Sequence, residues 1–262
     1  MLLKSKNAII YGAGGDVGSA VARAFAREGA RVFLAGHKLA SVESVAEEIT
    51  NNGGAAEAVE IDALDEISIE KKLGEIVKKA GGIDISFNLI DMQGEIQGTP
   101  IVEMSLDDFL QPIQVAMKTH FLTTKAVSNY MVENGSGVIL ALTASPSRVP
   151  FANVGGFGTA CSAIESLCRQ LSVELGPKGI RVVCLRSTGS PETIKNTKSF
   201  QMQATEKNLT LEELVSQFEK MSPLHRITSF ENVGNVAALM ASDLANSMTA
   251  TTANITCGMY VD

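Results

Sequence analysis

No stretch of this sequence is apolar for long enough to cross a membrane. Its first ten residues carry Lys4 and Lys6 and run straight into a strand-like segment, without the charged–apolar–small order of a signal peptide. Cysteine is sparse: Cys161, Cys168, Cys184 and Cys257 form no Cys-x-x-Cys pair and have no histidine at metal spacing. No metal centre is expected, and the thiols read as buried and reduced, in a cytoplasmic protein. Positive charge is outnumbered, with 22 Lys and Arg against 29 Asp and Glu, a net charge of −7 and a pI of about 5.1. Such an acidic surface argues against nucleic acid or anionic membrane as the main partner. Internal repeats, low-complexity tracts and dividing linkers are absent too. What remains is a chain of 262 residues, 45% apolar, with enough material to bury a substantial core as one large α/β domain over 1–262.

Apolar runs of strand length alternate with amphipathic runs of helix length. Strands are expected at 8–11, 31–35, 58–61, 83–90, 137–143 and 181–186, with a seventh at 253–257. Helices are expected at 17–28, 41–52, 68–80, 106–134 and 158–175. The first puts Val17, Val21, Ala24 and Phe25 on one face and ends at Gly29; Pro112 is expected to kink the long one near its start. Strict alternation implies a parallel sheet covered by helices on both faces. Residues 190–221 are polar and less strand-like, and Thr210-Leu211-Glu212-Glu213 has the form of a capping box opening a short helix. An insertion there reads either as a lid above a ligand crevice or as a solvated helix pair.

Between the first strand and the first helix stands Tyr11-Gly12-Ala13-Gly14-Gly15-Asp16-Val17-Gly18. Glycines in this place let the backbone turn tightly and approach a pyrophosphate lying at the helix N-terminus. Asp16 either caps the helix through its carboxylate and leaves that path open, or competes with phosphate and repels it. The second strand ends in Gly36-His37-Lys38, with no carboxylate for a ribose 2′-hydroxyl. Lys38, helped by His37, can pair with a 2′-phosphate, which favours NADP(H) over NAD(H); the alternative is a solvated basic turn.

The glycine turn resembles that of the short-chain dehydrogenase/reductase family, with Gly12 and Gly18 on its first and last glycines, Tyr11 where Thr is usual and Asp16 where the middle Gly is usual. The resemblance runs along the whole chain and implies a Rossmann-like doubly wound parallel sheet of about seven strands. It implies cofactor contacts from Gly12, Gly14, Gly15, Val17, Gly18, His37, Lys38, Asp62, Ala63 and Asn88, with Leu89-Ile90-Asp91 replacing the rest of an Asn-Asn-Ala-Gly motif. It also assigns places to four catalytic groups. A tyrosine moves the proton of the reacting oxygen, a lysine lowers its pKa, a serine polarises the carbonyl and an asparagine positions a water. Those places hold Phe157, Cys161, Ala144 and Ala116. The expected site is therefore more apolar and roomier than usual and unable to run that proton relay.

Candidate substitutes are Ser145, one residue past the serine position, with Thr143 and Ser147 near it, and Cys161 as a thiol nucleophile if a cation lowered its pKa. Arg148 and Arg186 are possible anchors for an anionic group; His120 lies four residues after Ala116 on nearly the same helix face. Tyr130 and Tyr260 lie far from the motif in sequence. One expectation is an NADP(H)-dependent oxidoreductase of unusual mechanism acting on an enoyl C=C or another activated acceptor. The alternatives are an inactive protein that binds a nucleotide or small apolar ligand, and a structural subunit. Small residues along 158–175 and the C-terminal pattern around 223–227 and 257–259 resemble the family's association surfaces and imply a homotetramer.

Overall fold

The computed structural model describes residues 1–92 and 96–261. Seven strands make one parallel sheet in the order β3-β2-β1-β4-β5-β6-β7. They are β1 (Asn7–Tyr11), β2 (Arg31–Gly36), β3 (Ala55–Glu60), β4 (Ile85–Asn88), β5 (Gly137–Ala144), β6 (Ile180–Ser187) and β7 (Thr251–Asn254). The sheet is built outward in both directions from β1 and β4, where Tyr11 stands opposite Asn88. In a doubly wound sheet the ligand crevice opens at such a reversal, outside the carboxyl ends of the strands.

Helices cover both faces, which is why the central strands are apolar on both sides. Ala8 and Ile10 of β1 enter a cluster under α1 (Asp16–Arg27), α2 (Leu39–Asn51) and the last helix, α9 (Phe230–Ala241). Ile9 and Tyr11 enter the opposite cluster, under α3 (Glu66–Ala80), α4 (Leu106–Asn134) and α5 (Gly156–Leu175). A third, small cluster joins α6 (Pro191–Asn196), α7 (Lys198–Glu206) and α8 (Leu211–Met221) through Ile194, Ala204 and Leu214. The Thr210–Glu213 capping box forms as the sequence pattern predicts.

Element ends differ from the sequence reading where side chains turn the backbone. β4 stops at Asn88 rather than running to 90, because the Asn88 side-chain oxygen Oδ1 accepts the Ile90 N–H at 3.0 Å. β7 ends at Asn254, whose side-chain oxygen takes both the N–H and the hydroxyl of Thr256, at 3.2 and 2.7 Å. β3 begins three residues early, at Ala55. α4 covers 106–134 as expected, with Pro112 inside its second turn and Ser105 accepting the Asp108 N–H as cap. Among the described residues no helix is long and apolar enough to cross a membrane and no acidic, His or Cys cluster could hold a metal.

Candidate cofactor and active site

The turn after β1 is shaped by close backbone approach. Gly12 has a φ of +74°, and a Cβ there would stand 2.5 Å from the Leu89 carbonyl oxygen. Gly18 faces the Gly12 carbonyl so closely that any Cβ would collide with it and with Ala13, both backbone. Gly14 is needed for a different reason than cofactor approach, since its Cβ would meet the Ser41 carbonyl oxygen of α2 at 2.6 Å. Gly15 is open, with its nearest neighbour, the Gly12 oxygen, at 3.5 Å. Gly18→Ala is therefore expected to cost about 1–3 kcal/mol of stability through forced backbone movement. Gly15→Ala should cost under about 1 kcal/mol. Urea unfolding of the two variants distinguishes the roles.

Gly15, not Asp16, is the N-cap of α1, and no side chain caps that end. The expectation that Asp16 caps the helix is thus corrected. Asp16 is the first helical residue, exposed, its charge beside the positive helix end. With no side-chain cap, the first-turn N–H groups are left for another acceptor, and with Gly15 open the cradle fits a pyrophosphate. At the end of β2, His37 and Lys38 are exposed, Lys38 is the N-cap of α2, and the first turn of α2 holds no acidic residue. The Asp62 carboxylate accepts the Leu64 N–H at 2.9 Å, and Ala63 is buried beside it. Asn88 is buried, its amide donating to the Thr123 hydroxyl at 3.3 Å. Val17 is partly buried against the cluster under α1.

At the other end of the crevice, Ala144 closes β5, Phe157 lies in the first turn of α5 and Ala116 is buried in α4. Cys161 is fully buried, and its thiol is pushed up to about 11 by burial, only partly offset by hydrogen bonds from the Ala144 backbone and the Thr143 hydroxyl. It is protonated at neutral pH. The hydroxyls near it are engaged as well: Thr143 donates to the Cys161 carbonyl and Ser145 to the Ser187 carbonyl, both at 3.0 Å. Ser145–Ser147 forms a tight 3₁₀ turn around Pro146.

Arg186 is engaged within the protein. It is buried and makes a two-point ion pair with Glu165 of α5, Nε to Oε1 at 2.8 Å and Nη2 to Oε2 at 2.9 Å. The Ser147 hydroxyl accepts from Arg186 Nε at 3.1 Å and donates to Glu165. Glu165 had no motif to betray it; only the fold reveals it as a partner. Arg148 is exposed. His120 is buried, donates from Nδ1 to the Ala116 carbonyl at 2.9 Å, and has no partner at Nε2. Beside it lies a void of about 10 Å³, lined in part by Ser86, Asn88, Thr123, Thr124 and Cys168. Tyr11, standing where the resemblance places Thr, is buried with its hydroxyl unpartnered, and burial pushes that phenol up. Tyr260, remote in sequence, meets the Phe151 ring edge to face at 5.8 Å, six residues before Phe157.

Comparison with known proteins agrees with this geometry. A family model described as enoyl-(acyl carrier protein) reductase matches residues 12–260. L-rhamnose 1-dehydrogenase (NAD(P)(+)) of Azotobacter vinelandii is 30% identical over 274 residues, covering 100% of this chain and 99% of its own. 3-Oxoacyl-[acyl-carrier-protein] reductase FabG of Aquifex aeolicus is 29% identical, with 98% of each chain covered. The solved structure of NAD+-bound xylitol dehydrogenase superposes with a TM-score of 0.88 at 22% identity, over 98% of this chain and 100% of that one. The chain belongs to the short-chain dehydrogenase/reductase family, and its relatives are dehydrogenases and reductases.

Proposed function

We propose that the chain is an NADP(H)-dependent oxidoreductase with an atypical catalytic end, built as one dinucleotide-binding domain with α6–α8 as its cover. The observation that carries the cofactor choice is the start of α2, where Lys38 and His37 stand exposed and no carboxylate occupies the first turn. Gly12, Gly15 and the uncapped start of α1 would hold the pyrophosphate, with Gly14, Val17 and Gly18 shaping the turn. Lys38 would pair with the 2′-phosphate. Asp62, Ala63 and Asn88 would line the adenosine and nicotinamide sides. When bound, the nicotinamide supplies or accepts a hydride.

The residues at the catalytic end support a reaction that leans on orientation rather than on proton relay. Phe157 offers an aromatic wall without a hydroxyl, and Ala116 and Ala144 offer no polar atom beyond the backbone. Cys161, protonated and buried, is packing rather than a nucleophile. Two groups remain to steady negative charge on a substrate oxygen. One is the start of α5, where Gly155 is the N-cap and no side chain caps the helix. The other is Ser145, once its hydroxyl turns from the Ser187 carbonyl. Reduction of a C=C bond conjugated to a thioester suits such a site better than reduction of a ketone.

Lys38→Ala is expected to weaken NADPH binding about tenfold, the loss of one charge-assisted contact, and to leave NADH binding unchanged. Calorimetry reads both; equal loss for the two nucleotides would sink the NADP(H) assignment. The second reading, a ligand-binding protein without turnover, is favoured by Asp16 at the pyrophosphate end and by the prior engagement of Thr143, Ser145 and Ser147. We also propose a homotetramer. Phe121 on α4 is 56% exposed and Val173 on α5 is 74% exposed, a large apolar residue on each of two packed helices, and Leu239 and Leu244 add others near α9. Light scattering should give about four chain masses; a monomer would refute this.

A further inference from the structure

We propose that the substrate end of the crevice is ringed by an apolar rim that selects an aliphatic acyl chain over a polyhydroxylated substrate, with Tyr260 as a specificity-determining residue. The proposal rests on the reading above that the carboxyl end of β5 and the start of α5 receive the substrate. It comes from contacts between segments remote in sequence that leave the carboxyl ends of four different strands. The Gly98 N–H, in the connection from β4 to α4, donates to the Asn153 carbonyl, in the connection from β5 to α5, at 2.9 Å. Met104 packs on Gly155 between the same two connections, leaving no room for a Cβ there. Phe151 meets Tyr260, in the segment after β7, edge to face. One residue earlier, the Met259 sulfur lies 4.0 Å from the Thr188 hydroxyl at the end of β6. Phe200 of α7 lies against Gly189, and Met202 of the same helix lies against Gly98, 3.4 Å from where a Cβ would stand. The path returns to where it began.

Met104, Phe151, Met202, Phe200, Met259 and Tyr260 thus stand along a closed path made of these contacts and the short stretches of chain between them. Three are thioethers, three are aromatic, and none carries a charge. A polyol brought there would lose water from its hydroxyls and find few partners to replace it, the Tyr260 and Thr188 hydroxyls among them, which costs free energy at each group left unpaired. The two outer rings meet at 83° and so present no parallel slot for a planar ring. Flexible thioethers adapt to an aliphatic chain of irregular shape. Tyr260 is held there from behind: its carbonyl accepts from the Asn254 amide at 2.7 Å and from the Thr256 hydroxyl at 3.4 Å. The backbone is clasped while the ring faces Phe151.

The test is calorimetric titration of the full-length protein, with and without saturating NADPH, using three probes: trans-2-octenoyl and crotonyl N-acetylcysteamine thioesters, and xylitol. The octenoyl probe is expected to bind about tenfold or more tighter than the crotonyl probe, from burial of its longer chain, and xylitol not to bind. Tyr260→Ser should lower octenoyl affinity about tenfold and leave crotonyl and NADPH affinities within about twofold; Tyr260→Phe should retain the preference. If Tyr260→Ser lowers the melting temperature, Phe151→Ala supplies the same readout from the other side of the contact. Xylitol binding as tightly as octenoyl, no chain-length preference, or no change in both variants would overturn the proposal. Failure of NADPH to bind would fall on the oxidoreductase reading alone, because the cofactor-free titration still reads the rim.

Discussion

Glu165→Gln is expected to lower the unfolding free energy by about 3 kcal/mol, the cost of giving a buried guanidinium a neutral amide in place of a two-point carboxylate. The side chains of Arg186 and Glu165 are 4% and 6% exposed, so water cannot replace the lost partner. The guanidinium would keep the Ser147 hydroxyl but face a neutral amide in place of a two-point carboxylate. Arg186→Met should lower the unfolding free energy by at least as much, because it takes the two-point partner from the buried Glu165 carboxylate. Urea unfolding at neutral pH measures both. A loss below about 1 kcal/mol in Glu165→Gln would contradict the account of this pair. The pair also has a place in the site. Through Ser147 it joins the turn that carries Ser145 to α5 and β6, the two elements that frame the proposed catalytic end.

The second large effect is on acid stability. Burial pushes His120 down to about 4, against a smaller opposing contribution from its hydrogen bond to the Ala116 carbonyl. An unfolded histidine titrates near 6.5. Between these values the unfolded chain holds a proton that the folded chain does not, so stability rises with pH across the window. The contribution is fully present above about pH 6.5 and is lost as pH falls toward 4, amounting to about 3 kcal/mol. The surroundings offer no relief: Ser86, Asn88, Thr123 and Thr124 beside the void bear no charge, and the rest of its lining is the Cys168 thiol and apolar residues. His120→Gln keeps a donor for Ala116 and removes the titration. Carboxylates contribute alike to both proteins, so the difference in their stability should shrink or reverse by about 3 kcal/mol between pH 7 and 4. Parallel loss in the two proteins would contradict the assignment.

The sheet and its helices were legible because their signals are local and periodic. The alternation of 8–11, 17–28 and 31–35 is written in side chains most of whose apolar members enter one of two clusters. Strand ends were less legible, because Asn88 and Asn254 end β4 and β7 through their own side chains, and asparagine in a sequence does not announce which backbone group it will take. The glycine turn was legible as a motif, but the division of labour within it was not. Gly14 serves α2, Gly15 is open, and Asp16 stands inside the helix rather than capping it.

The catalytic end shows the same limit. The resemblance to the family assigned places to Phe157, Cys161, Ala144 and Ala116. What surrounds them depends on contacts across the sheet. Arg186 read as a possible anchor for an anionic group and pairs with Glu165, twenty-one residues earlier. His120 read as a residue near the pocket and is a buried donor to its own helix. Tyr260 read as remote and stands ring to ring with Phe151. For Arg186 and Tyr260 the partner lies on another element, so no single segment carries both; for His120 the partner is four residues away on α4, and it is the burial set by neighbouring elements that its sequence did not show.

The central claim is that the turn after β1 and the start of α2 together hold NADP(H). Calorimetric titration of the purified, nucleotide-free protein with NADPH and then with NADH tests it most directly. Micromolar binding of NADPH with much weaker binding of NADH is the predicted result. Binding of neither nucleotide would contradict the claim; it would mean that Asp16 closes the pyrophosphate path and that the crevice serves another ligand.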